Sequence, residues 1–205
     1  MPDSPTDPLS SLAHDIIKAA AYEKLTVSRS APANAHRFLD DVTPDQLLLV
    51  PVNSPVHAAA MLAALWLWHD DLDQCHRIVQ KSPDELHPSA KSNDREMTQT
   101  LAFWHAIMHR REGDFSNSKY WYARCADHPV LQSMASHANE ILHPLPADKS
   151  LLRIMRNGWD PNAFVHLTEL VHNQPADPRH RAAVSLQKIE WRALFDHCTR
   201  LAAGQ

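Results

Sequence analysis

The stretch Phe103-Trp-His-Ala-Ile-Met-His-Arg-Arg-Glu-Gly-Asp-Phe-Ser-Asn-Ser-Lys-Tyr-Trp-Tyr-Ala-Arg-Cys-Ala-Asp-His-Pro129 decides how this chain is read. Nothing between Phe103 and Glu112 breaks a helix. Gly113 follows at once, and a glycine just past a helix end takes the left-handed conformation without a Cβ penalty. Asp114 then offers its carboxylate to the first free amides of a second helix, which runs from Phe115 to about His128 before Pro129 opens the next element. The stretch is therefore two helices joined by a tight turn.

The same punctuation recurs on both sides of it. Thr43-Pro44-Asp45-Gln46 and Ser82-Pro83-Asp84-Glu85 are capping boxes with proline at the first helical position. The first opens a short helix to Val50, and the second a single turn. Ser54-Pro55 opens a buried helix to about His69, and Asp70 and Asp71 cap another through Lys81. Ser11 reads as the cap of a helix to about Leu25, with residues 26–35 as a loop, and Asn93 opens the helix that ends at Glu112. Pro129 starts a helix to His143, broken by Pro144 and Pro146. Asp148 caps one ending at Asn157-Gly158, while Asp160-Pro161 and Asp177-Pro178 open helices to Asn173 and about Ala203. Short apolar runs such as Leu47–Val50 also suit a strand, but they stand isolated and are already capped as helix. The chain of 205 residues holds three glycines, too few for hairpin-linked sheets, and fifteen prolines set between the periodic segments. The expected fold is all-α: eight to ten helices built from antiparallel hairpins, in a single domain over 11–205 behind a disordered, acidic, proline-rich tail over 1–10.

Composition excludes several functional classes. Net charge is −4, and the slight basic excess of residues 101–205 is no nucleic-acid footprint. Ala58–Trp68 is the longest apolar run and is too short to span a membrane. The opening residues lack the basic and apolar regions of a signal peptide. Three widely spaced cysteines, Cys75, Cys125 and Cys198, suit a reducing compartment, so a cytoplasmic location is expected.

An offset of 43 lays Met61–Lys81 on Trp104–Arg124. Asp70-Asp71-Leu72 then falls on Gly113-Asp114-Phe115, and Leu62 and Trp66 fall on His105 and His109. Over residues 61–129 the turn, the small Ser118 and Cys125, the aromatic Tyr122 and the closing Pro129 resemble a tetratricopeptide helix–turn–helix. The period differs from the usual 34. The resemblance implies paired antiparallel helices and, as a function, a non-catalytic protein-interaction module. His105-x-x-x-His109-Arg-Arg-Glu-Gly-Asp114 with Lys119-Tyr-Trp121 is also similar to a segment of a group of small uncharacterised helical proteins, which brings no activity with it.

Fifteen histidines are the other unusual count. His105, His109 and Glu112 project at about 0°, 40° and −20° around one helix, so two imidazoles and a carboxylate share a face. That donor set suits a divalent metal, zinc or iron. Arg110, Arg111, Asp114 and Lys119, beside Trp104, Tyr120 and Trp121, are the candidate ligand-binding residues, able to hold a carboxylate or phosphate and stack a ring. Acid-x-x-His recurs at Asp73/His76, Asp84/His87, Glu140/His143, Glu169/His172 and Asp177/His180. A di-iron bundle would use that pattern, but it also needs glutamates from two further helices; helix-end pairing explains the recurrence. The expectation is a His/carboxylate site, metal-dependent, acting on a small anionic molecule. The alternative is the interaction module with a protein partner. Reaction, substrate and oligomeric state are open at this level.

Overall fold

The computed structural model describes residues 7–20, 22–28, 39–125, 127–143, 148–155 and 158–205. Their secondary structure is helical: α1 (Ser11–Lys18), a 3-10 turn (Pro44–Leu47), α2 (Pro55–Trp68), α3 (Leu72–Val79), α4 (Pro83–Leu86), α5 (Arg95–Glu112), α6 (Phe115–Cys125), α7 (Pro129–Leu142), α8 (Lys149–Met155), α9 (Pro161–Val171) and α10 (Pro178–Ala203). Among the described residues no strand forms beyond one isolated antiparallel bridge, Leu9 to Leu48. That bridge explains the ambiguity at Leu47–Val50: the helix expected to reach Val50 stops as a single 3-10 turn, and Leu48 turns extended to pair with Leu9. Leu9 and Ser10 are buried, so the packed chain begins before the boundary drawn at residue 10. The breaks expected at Pro144, Pro146 and Asn157 lie outside the described residues, as does most of the 26–35 loop.

Caps are where the sequence put them or one residue away. Asp177 accepts from the Arg179 amide to start α10, and Asp160 accepts from two amides to start α9. Ser10 rather than Ser11 caps α1, and Asp94 rather than Asn93 caps α5. The clearest departure is the length of α1, which ends at Lys18 instead of near Leu25. Tertiary contacts outweigh helix propensity there. Tyr22 takes φ +46 so that its ring stacks on Trp68 at 4.6 Å. The extended chain beyond it offers the Lys24 carbonyl to Arg111 and Gln187, and the Val27 amide to the Arg111 carbonyl.

Apolar on all sides, α2 is correspondingly enclosed, with Ala58, Ala60, Met61, Ala63, Ala64, Leu65 and Leu67 at no exposure. It packs on α3, α5 and α10. The long α10 serves two cores. Its C-terminal half contributes Trp191, Leu194, Phe195 and Cys198 to the main core with α2 and α5. Its N-terminal half contributes Ala182, Ala183 and Leu186 to a second core shared with α7, α8 and α9. Each fully buried large side chain contributes roughly 1.5–3 kcal/mol. Trp191 also donates its indole N–H to the Ala64 carbonyl at 3.0 Å, so α2 and α10 are joined by a satisfied polar contact inside an apolar interface.

The two hairpins α2/α3 and α5/α6 share their turn. Asp70 (φ +66) and Gly113 (φ +86) are both left-handed, and they occupy equivalent positions at the 43-residue offset. Asp71 then accepts from the Gln74 amide and Asp114 from the Asn117 amide. This turn sets α5 and α6 side by side, and α5 packs on α3.

Candidate functional site

Helix α5 carries polar groups at both ends of an apolar middle, and histidines gather at each end. At the C-terminal end, His105 and His109 lie one turn apart with rings stacked at 4.8 Å and 17°. Both are almost fully buried. His76 of α3 meets them edge-on, its ring 4.8 Å from His105 and 5.7 Å from His109. One nitrogen from each of the three lies within 4.8 Å of the others. His76 therefore joins a cluster that the sequence reading had confined to α5. The only sequence signal for it was Asp73-x-x-His76, which predicted nothing about α5.

Glu112, expected as a metal ligand, is placed differently. Its Oε2 accepts from His109 Nδ1 at 3.0 Å. With the proton on Nδ1, His109 Nε2 keeps its lone pair and receives the Asn117 amide at 3.0 Å. A carboxylate behind an imidazole is the arrangement that orients metal-binding histidines. Trp121 of α6 covers the other face of His105, ring on ring at 3.9 Å and 18°.

The expected ligand-binding residues do not converge. Arg110 and Arg111 are enclosed, a correction to the reading that had them hold an anion. Arg110 Nη2 lies 2.5 Å from Glu190 Oε2 with both side chains at zero exposure, and its Nη1 donates to Tyr122 Oη at 2.5 Å. Arg111 donates to Asp70 at 2.6 Å and to the Leu67 carbonyl at 2.9 Å, with its guanidinium over Tyr22. Both cations are taken up by the fold because a buried guanidinium needs its donors filled. Trp104 is likewise interior, donating to Cys198 Sγ. Asp114 serves as a helix cap. Lys119 faces away from the histidines, 3.6 Å from Glu169, on the wall of a cavity of about 320 Å³ with Arg153 and His166. Tyr120 is exposed under the Arg124 guanidinium.

A second cavity, of about 370 Å³, adjoins the histidine cluster. Val79 and Leu101 line it one turn along α3 and α5 from His76 and His105, and Trp121 is shared by the cluster and the cavity wall. Lys81 and Arg124 supply its positive charge.

At the N-terminal end of α5 stands a group that the sequence did not suggest. The Glu96 carboxylate is contacted by His197 of α10, Nε2 to Oε1 at 2.8 Å, and by His57 of α2, Nε2 to Oε2 at 2.6 Å. His128, preceding α7, lies 4.0 Å from Oε1. Thr100 Oγ1 is 2.9 Å from Glu96 Oε1 and 3.0 Å from His128 Nε2. Burial raises the Glu96 pKa, but hydrogen bonding from His197 and His57 overrides it and holds the carboxyl far below its usual range. Burial, then the neighbouring His197, pushes His128 down to about 4. The four side chains come from sequence positions up to 140 residues apart, so no local spacing announces them.

Comparison with protein-family models, curated proteins and solved structures finds no match to this chain. Among the described residues no helix is long and apolar enough to cross a membrane.

Proposed function

We propose that the protein is metal-dependent, that its ion is held by His76, His105 and His109, and that it acts on a small anionic molecule admitted beside Trp121. The observation that carries this reading is the convergence of three imidazole nitrogens from two helices within 4.8 Å. Three nitrogen donors leave a coordination position for water or a ligand, as in catalytic zinc sites. Glu112 supports the reading from behind His109, because a carboxylate that takes the Nδ1 proton leaves Nε2 to the metal. Metal binding there replaces the Asn117 amide contact. In the cavity, Lys81 and Arg124 take the anion-holding role for which Arg110 and Arg111 are unavailable, and the apolar wall of Val79, Leu101 and Trp121 receives the rest of the molecule.

Metal analysis of the purified chain tests this reading. Wild type is expected to retain zinc or iron, or to take up one equivalent at this cluster, and His76→Ala, His105→Ala and His109→Ala each to lose that equivalent while keeping wild-type helical content. Full retention of metal by all three folded variants overturns it.

A further inference from the structure

We infer that Glu96, His128 and His197 form a second divalent-cation site, at the opposite end of α5 from the histidine cluster and independent of it. The donor set is two imidazoles and one carboxylate, which suits iron(II), manganese or zinc. The sequence reading sought that set on a single helix at His105, His109 and Glu112. The tertiary structure assembles it from α5, the residue before α7, and α10.

Geometry supports the assignment. One donor atom from each of the three residues lies within 4.8 Å of the others, with Glu96 Oε1 2.8 Å from His197 Nε2 and 4.0 Å from His128 Nε2. An ion at 2.0–2.2 Å from such ligands holds tetrahedral neighbours about 3.3 Å apart. The observed spacings bracket that value, so the side chains have only short distances to move. Glu96 is also held from outside. Its second oxygen lies 2.6 Å from His57 Nε2, and His57 Nδ1 lies 2.7 Å from Ser54 Oγ. That chain fixes the carboxylate as outer partners fix metal ligands elsewhere. The Glu96 side chain is 39% exposed while His128 is fully buried, which leaves a path for an ion from solvent to an otherwise enclosed group. The Thr100 hydroxyl, between Glu96 Oε1 and His128 Nε2, is a neutral oxygen that turns aside or adds a weak fourth ligand.

Ligation displaces two ring protons: His197 gives up the Nε2–H that it donates to Glu96 Oε1, which moves to Nδ1, and His128 changes likewise. His128 Nδ1 accepts from the Val130 amide at 3.3 Å, which puts the ring proton on Nε2. Binding an ion through Nε2 moves that proton to Nδ1 and ends the Val130 contact. The Val130 amide therefore reports occupancy.

The experiment adds cobalt(II) to metal-stripped, full-length protein and counts bound equivalents by equilibrium dialysis, with amide spectra recorded in parallel. Wild type is expected to bind two equivalents, Glu96→Gln and His197→Gln one each, and His105→Ala one. Amide signals of Thr100 and Val130 should broaden in wild type and in His105→Ala. Absence of broadening at Thr100 and Val130 in wild type overturns the inference, whether or not the Glu96 variant folds. So does a Glu96→Gln variant that binds as many equivalents as wild type. Failure of the His76/His105/His109 reading looks different: His105→Ala then matches wild type in stoichiometry, while the Glu96 variant still loses one ion.

Discussion

Arg110 and Glu190, eighty residues apart, face each other at 2.5 Å with neither side chain exposed, and Tyr122 closes the ring by accepting from Arg110 and donating to Glu190 Oε1 at 2.7 Å. The pair ties α5 to α10, and burial alone would disfavour the Arg110 charge. The adjacent Glu190 carboxylate reverses that effect and raises its pKa. Removing one partner leaves the other as an uncompensated buried charge. Glu190→Gln is expected to cost roughly 3–5 kcal/mol of unfolding free energy. Arg110→Met combined with Glu190→Gln should cost less than the sum of the single changes. Urea unfolding of the three variants measures both.

Gly113 separates conformational strain from packing. Its φ is +86, and among the described residues nothing lies within 4 Å of where a Cβ would stand. Gly113→Ala should therefore cost only the left-handed penalty, about 1–2 kcal/mol, and leave metal stoichiometry unchanged. Thermal unfolding and metal content of the same sample check the two halves. At the equivalent position Asp70 (φ +66) is held by Arg111. Asp70→Asn, which tolerates that conformation and keeps an acceptor, should be milder than Asp70→Ala.

Tyr22 makes the fold sensitive to alkali. Burial raises its phenol to about 12, against the partial relief of Arg111. The unfolded chain ionises near pH 10, so from there the unfolded state holds fewer protons than the native one. Stability from this group is complete below pH 10 and declines as pH rises toward 12. Tyrosinate absorbance and circular dichroism, followed together over that interval, should show Tyr22 ionising with unfolding. Among the described residues its hydroxyl has no hydrogen-bond partner. Tyr22→Phe should therefore leave neutral-pH stability unchanged or higher and flatten the alkaline decline.

Glu112 should act on the metal through His109. Glu112→Gln keeps the side-chain shape but weakens acceptance of the Nδ1 proton, and the expected loss is about 10–100-fold in metal affinity, with no loss of stoichiometry at saturation. A competition titration with a chromophoric chelator reads it. Affinity equal to wild type would mean that Glu112 does not orient the site.

All three thiols are buried and unpaired, and burial pushes each pKa up. Thiolate is the reactive form, so Cys75, Cys125 and Cys198 should be inert to a thiol reagent in the native state and react together in denaturant. Early reaction of one would show local opening around it.

The helices were legible because their signals are local. Asp177-Pro178 and Asp160-Pro161 mark starts whose caps depend only on the next two or three residues, and Gly113 marks an end by its own missing side chain. The inward face of His105 and His109 was legible for the same reason, since helical geometry alone puts them together. Where distant groups compete with local preference, the reading failed. Tyr22 breaks α1 because Trp68 and Arg111 hold it.

The amino-acid order alone determined an all-α chain, its helix boundaries to within a few residues except at the end of α1, and a polar, histidine-bearing face on α5, because capping and periodicity act over one or two turns. Tertiary structure decided which groups meet. It brought His76 to His105 and His109, it gave Arg110 to Glu190, and it gathered His57, His128 and His197 around Glu96. Those encounters depend on how the helices that carry these residues pack together, and packing joins residues whose separation along the chain carries no trace of their nearness.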